Sequence, residues 1–234
     1  MTDLDCDLYI SWIKNNDGNG RSVFATEDVG INESIATLPF KLALTEKVAR
    51  KTFPDLEEFS CRIVMALYIA YQKAIGTSFY APYLNILPTT IKTPFFFNQH
   101  ELKYLENTNL ALSVRERLKN IRSDYDKLLT YLQESVKKVV TWDNFLWAYS
   151  VLSSRSFPYK LVDPSYSDDK ADSEVLFPLL DSLNHKPNTK ITWCRDGDTE
   201  NGTLSFITGQ PFNAGEQLYN NYGPKVVDFY FILF

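Results

Sequence analysis

The chain has 234 residues, 44% of them hydrophobic and 23% charged, with a formal net charge of -5. That is enough apolar material for a sizeable core in one or two domains, and the acidic balance with scattered Lys and Arg argues against a nucleic-acid partner. No apolar stretch approaches the roughly 18 residues of a membrane helix, so no membrane association is expected.

The N-terminal stretch from Met1 to Asp7 is acidic and lacks the basic and apolar regions of a secretory signal. Cys6, Cys61 and Cys194 stand far apart, with no CxxC. This suits reduced thiols in the cytoplasm or nucleus and speaks against a structural zinc site.

In chain order, the first forty residues read as short strands and turns. Ser22 to Thr26 and Ser34 to Leu38 are strand candidates, and the polar stretch from Asp28 to Glu33 predicts a hairpin between them. Leu56 to Ile75 is apolar nearly all round, which predicts a buried helix. Pro82, Pro88 and Pro94 punctuate a loop region, and the aromatic run Phe95 to Phe97 reads as core, with a cofactor site as the alternative. Ser113 to Glu116 has capping-box form. After it, Leu118, Ile121, Tyr125, Leu128, Leu132, Val136 and Val139 recur at three- and four-residue steps and predict one long amphipathic helix. Trp142, Phe145, Leu146, Tyr149 and Leu152 predict a further helix toward Arg155. Ser167 to Glu174 is an acidic run, read as a solvated loop, with an acidic lip for a basic peptide as the functional alternative. Strands return beyond Val175, at Lys190 to Cys194 and Thr203 to Thr208. Strands, then helices, then strands indicate an α+β fold.

The chain contains no GxGxxG, no GxxxxGK[ST] and no GxSxG, so dinucleotide, phosphate-loop and serine-elbow chemistry lack their signatures. Two polar segments stand out instead. An apolar run from Leu176 to Leu180 leads into Asp181-Ser182-Leu183-Asn184-His185, and Gly215 to Gly223 reads GEQLYNNYG. Polar groups at the end of a buried strand are costly unless hydrogen-bonded. Asn184-His185 is therefore either a satisfied strand-end network or a ligand site. Tyr222 either caps a turn through its hydroxyl or faces a ligand. Arg155 either complements a helix dipole or binds an anion. Asp181 is structural or supports the site.

The segment VLFPLLDSLNH (Val175 to His185) followed by GEQLYNNYG resembles the SET-domain protein lysine methyltransferases, and within them the subgroup typified by Rubisco large-subunit methyltransferase, which includes fungal ribosomal-protein methyltransferases. Val23 to Pro39 resembles the opening SET hairpin. Phe79 to Pro88 resembles the subgroup's aromatic-rich segment, Thr93 to Thr108 the stretch that follows it, and Ser153 to Phe157 the helix end before the second SET half.

The resemblance implies a SET-type strand fold in two halves, 1–50 and 151–234, with an inserted helical region at 51–150. It also implies a C-terminal helical substrate domain beyond Phe234, which this sequence does not include. It implies S-adenosylmethionine as cofactor and, as partner, a protein carrying the target lysine, of ribosomal or translation-related type, acted on by a monomer. Asn184 would then bond the methionine end of the cofactor, and the His185 backbone would meet the adenine. Arg155 would pair with the cofactor carboxylate. The backbone around Ser22, Val23 and Phe24 would pass over the cofactor, with Ser22 standing where the subgroup usually has Gly. Tyr222 would be the active-site tyrosine, and Ser154, Asp181 and Phe234 would lie on the substrate side. A non-catalytic SET-fold interaction module is the alternative function.

Overall fold

The computed structural model describes residues 10–14, 21–166 and 173–223. Phe234, Cys6 and residues 167–172 of the acidic run lie outside the described residues. The described chain divides into two units, one formed by 10–14, 21–44, 157–166 and 175–223 and the other by 45–156 with 173–174.

The first unit is a strand unit. Its main sheet runs β1 (Ile10–Lys14), β2 (Arg21–Ala25), β10 (Gln217–Asn220), β7 (Asn184–His185). β2 is antiparallel to both β1 and β10, and β10 is parallel to β7, with Tyr219 opposite Asn184 and Asn220 opposite His185. A second sheet is β3 (Ser34–Pro39), β9 (Thr203–Thr208), β8 (Ile191–Asp196), antiparallel throughout. The short strands β4 (Leu44–Thr45), β6 (Glu174–Leu176) and β5 (Phe157–Pro158) form a third, in that order.

Period-two alternation explains these strands. In β9, Leu204, Phe206 and Thr208 point inward and their neighbours outward. Val23, Ile35, Leu38, Phe177, Leu180, Phe206 and Leu218 meet in one apolar core. Phe206 is fully buried and rings with Phe157 and Trp193, so truncating it to Ala costs about 3–5 kcal/mol.

The second unit is helical: α1 (Glu46–Thr52), α2 (Cys61–Ile75), α3 (Ala81–Ile86), α4 (Gln99–Leu102), α5 (Asn109–Leu129), α6 (Glu134–Lys137) and α7 (Trp142–Arg155). α2 lies along α7, and Val64, Leu67, Ile69, Phe145, Val151 and Leu152 are all fully buried. Ser60 caps α2 by accepting from Ile63 N–H at 3.4 Å. Gly76 ends it in the left-handed region at φ +68°, the conformation glycine adopts without a Cβ penalty.

Four expectations need correction. β2 and β3 exist but form no hairpin. β2 pairs with β1 and β10, and β3 pairs with β9. The turn between them is instead tied to a distant segment: Val29 and Phe212 exchange backbone hydrogen bonds of 2.8 and 2.9 Å. The helix expected from Leu56 starts at Cys61, because the Ser60 cap fixes its entry. The expected start at Ser113 is wrong as well. Thr108 caps α5 by accepting from Ala111 N–H at 3.2 Å, and the Ser113 hydroxyl donates back to Asn109 O within the helix. The long helix does not run on to Val139. It stops at Leu129, and Thr130, whose hydroxyl donates to Lys127 O at 2.7 Å, leads into a turn before α6.

Candidate functional site

The chain brings Asn184, His185 and Tyr222 together at the open end of the main sheet. The apolar residues Val175 and Leu176 of β6 and Phe177 just after it are fully buried. Leu179 then takes φ +77°, a region costly for a side chain with a Cβ. This sharp bend starts the short helical turn Leu180–Ser182, which places Asp181 in a buried position with the Ser182 hydroxyl 3.4 Å from its Oδ1. Asn184 and His185 follow as β7, held beside β10.

Alternation sends the side chains of Asn184 and His185 to opposite faces of that sheet. Asn184 Nδ2 donates to Ser22 Oγ at 3.1 Å and reaches Arg21 O at 3.4 Å. His185 Nδ1 accepts the backbone N–H of Tyr222 at 3.1 Å. An imidazole that accepts at Nδ1 carries its proton on Nε2. The His185 and Tyr222 rings stack with centroids 5.1 Å apart at 22°. The Tyr222 hydroxyl donates to Leu183 O at 2.7 Å. With its hydrogen committed to a carbonyl, that oxygen can take part in further hydrogen bonds only as an acceptor.

The end of β10 is fixed by two asparagines. Asn220 Oδ1 accepts Asn221 N–H at 2.7 Å and the Trp193 indole N–H at 3.3 Å. Asn221 Oδ1 accepts Gly223 N–H at 3.0 Å. These bonds set the backbone on both sides of Tyr222. Neither Asn220, Trp193 nor the carbonyls of Arg21 and Leu183 was picked out from the sequence. Asn220 and Asn221 lie inside the GEQLYNNYG motif, so their amides were the available signal.

The other expected site residues are placed as follows. Ser22 is buried in β2, and Val23 is fully buried in the core. Phe24 lies between Ser11 and Gln217 in the ladder. Arg155 is the last residue of α7 in the helical unit. Its neighbour Ser154 donates to Ser150 O at 2.9 Å. Phe234 lies outside the described residues. Among the described residues no group of three or more His, Cys, Asp and Glu side chains gathers as a metal site.

Comparison with known proteins gives this geometry a family. The SET domain model matches residues 20–223. The chain is 33% identical to the ribosomal lysine N-methyltransferase set10 of Schizosaccharomyces pombe over 86% of its own length and 37% of that protein's. It is 27% identical to an actin-histidine N-methyltransferase of Xenopus tropicalis, over 88% of this chain and 36% of that one. Its fold superposes on a crystal structure of the SET domain of LSMT bound to lysine and AdoHcy with a TM-score of 0.81, at 18% identity, covering 97% of this chain and 52% of that one. The chain thus spans well under two thirds of the length of these relatives. With a family model matched over most of its length and a relative above 30% identity, the chain belongs to the SET-domain family.

Proposed function

We propose that this chain transfers a methyl group from S-adenosylmethionine to a lysine side chain of a protein, with a ribosomal or translation-related protein as substrate class. One observation carries the reading. In a SET-family chain, Asn184, His185 and Tyr222 converge at one strand end, with the Tyr222 oxygen turned into an acceptor by its bond to Leu183. The set10 name supports lysine and the ribosomal class. In the same reading 1–50 and 151–234 are the two halves of the SET domain around an inserted 51–150.

The residues fit the cofactor. Asn184 Oδ1 has no hydrogen-bond partner among the described residues, while its Nδ2 is engaged. An open acceptor beside a buried hydroxyl suits an α-amino-acid end. Arg155 would hold a carboxylate by a charge-assisted pair. When bound, the cofactor supplies the electrophilic methyl and a positive sulfonium. The chain's contribution is alignment for in-line displacement. Lysine, with a reference pKa of about 10.4, costs roughly 4.6 kcal/mol to deprotonate at pH 7. A neighbouring cation and a desolvated channel both lower that cost. The Tyr222 oxygen, an acceptor, orients the amine, and no separate base is required.

The test is incubation with cofactor labelled in the methyl group and a basic protein extract, followed by amino-acid analysis of the labelled protein. Methyl-lysine supports the reading. Methyl-histidine would move the chain toward the acceptor named for the Xenopus relative. A chain that binds cofactor but labels nothing, with Tyr222→Phe indistinguishable from wild type, favours the interaction-module alternative.

A further inference from the structure

The Asn184 side chain cannot be turned end for end. Arg21 O is a carbonyl and only accepts, so the edge of the amide that faces it must be the NH2 group. Ser22 Oγ, 3.1 Å from the same nitrogen, therefore accepts as well. Two consequences follow. Asn184 Oδ1 is turned away from β2 and has no partner among the described residues. The hydrogen of the Ser22 hydroxyl is left free to donate, since its bond to Asn184 uses only a lone pair. Ser22 is 4% exposed. A buried hydroxyl with an unused donor is one that a ligand or the chain must satisfy.

Strand alternation places these groups on one face. Val23 points into the core, so Ser22 points the other way. Leu218 also points into the core, so Tyr219, the register partner of Asn184, shares the opposite face with it. On that face Asn184 offers an acceptor and Ser22 a donor.

We propose that Ser22 is a binding and positioning residue for the amino-acid end of the cofactor: its hydroxyl, together with Arg21 O, holds the Asn184 amide so that Oδ1 accepts from the ligand's ammonium, while its own O–H donates to the ligand's carboxylate. This rests on the cofactor reading given above and names the part of the ligand that the β2–β7 contact recognises. Glycine in this position would remove the donor and one of the two acceptors that hold the Asn184 amide.

The experiment is calorimetric titration of the chain with S-adenosylhomocysteine and with 5′-methylthioadenosine, which lacks the amino-acid end. Ser22→Ala should weaken S-adenosylhomocysteine about tenfold and leave methylthioadenosine unchanged. Ser22→Thr, which keeps the hydroxyl, should retain most of the affinity. Ser22→Ala and Asn184→Ala together should cost less than the product of their separate effects, because the two side chains act as one unit. Equal S-adenosylhomocysteine affinity in wild type and Ser22→Ala, or equal loss for both ligands, overturns the assignment alone. Failure of the wild type to bind either ligand removes the cofactor reading and the assignment with it.

Discussion

The backbone N–H of Tyr222 donates to Nδ1 of His185 at 3.1 Å, and the two rings stack with centroids 5.1 Å apart. This pairing ties the turn after β10 to the end of β7. It fixes the His185 tautomer and the direction of the Tyr222 ring at once. The phenol oxygen is then pinned from its far end by Leu183 O. Tyr222 is thus held at its backbone, its ring face and its hydroxyl, which suits the alignment role proposed for it.

Removing the hydroxyl tests that role. Tyr222→Phe keeps the ring stack and loses one hydrogen bond of 2.7 Å, so stability should fall by only about 1 kcal/mol. Methyl transfer should fall at least about tenfold, with cofactor affinity near wild type. Initial rates and a cofactor titration on the same preparation check both parts.

A buried ion pair braces the helical unit. Arg62 of α2 pairs with Glu174, and the side chains are only 13% and 12% exposed. Arg62 also donates to Ser153 Oγ of α7 at 3.1 Å and sits over the Tyr149 ring. Arg62 Nε and Glu174 Oε2 are buried and have no hydrogen-bond partner among the described residues. Breaking one side by Arg62→Met should cost about 3–5 kcal/mol, whereas Arg62→Met with Glu174→Leu should recover most of the loss. Urea unfolding of the three variants measures this. A double variant no more stable than the single one would contradict it.

Gly202 packs too closely for any side chain. A Cβ there would lie 2.4 Å from the carbonyl oxygens of Asp196 and Asp198 and 2.8 Å from the Phe40 ring. Its own carbonyl accepts Phe40 N–H at 2.8 Å. Gly202→Ala should lower stability by about 2 kcal/mol, read as a drop in the thermal midpoint. Gly215→Ser, where a Cβ meets nothing within 4 Å, should strain only the local backbone at φ +83° and cost less.

The β8–β9 turn carries a pH response. Asp198 Oδ1 accepts Asn201 N–H and Glu200 N–H, each at 2.7 Å. These bonds hold its carboxyl below the ordinary 3.8, Asn201 contributing most. A carboxyl held low adds stability above its unfolded value and loses it as pH falls through the folded one. The urea midpoint should therefore decline below about pH 4, and Asp198→Asn should make that decline shallower.

Much of the architecture is legible in the sequence because it is written in short-range periodicity. The alternation of Leu204, Phe206 and Thr208 and the all-round apolar surface of α2 each specify their element locally. The hairpin between β2 and β3 was misread because pairing partners are chosen by long-range contacts: Ala25 and Val29 bond to Glu216 and Phe212, almost two hundred residues away. The helix from Ser113 to Val139 was misread because a break of one turn, at Thr130, hardly disturbs an apolar stripe. Asn184, His185 and Tyr222 stand out as polar residues beside apolar strands, but polarity alone leaves a structural network as open as a ligand site, and their roles come from the family resemblance. The Asn184–Ser22 bond was not, since nothing in either segment announces a partner 162 residues away. Arg155 and Ser154, also named from the sequence, stand at the end of α7 in the helical unit.

The most direct test of the account is calorimetric titration of this chain with S-adenosylmethionine, wild type against Asn184→Ala. The account predicts saturable one-to-one binding by the wild type, weakened at least about tenfold by the substitution, with both proteins equally folded by circular dichroism. Binding of equal strength in the two would show that the β7 amide does not contact the cofactor and would contradict the site proposed for it.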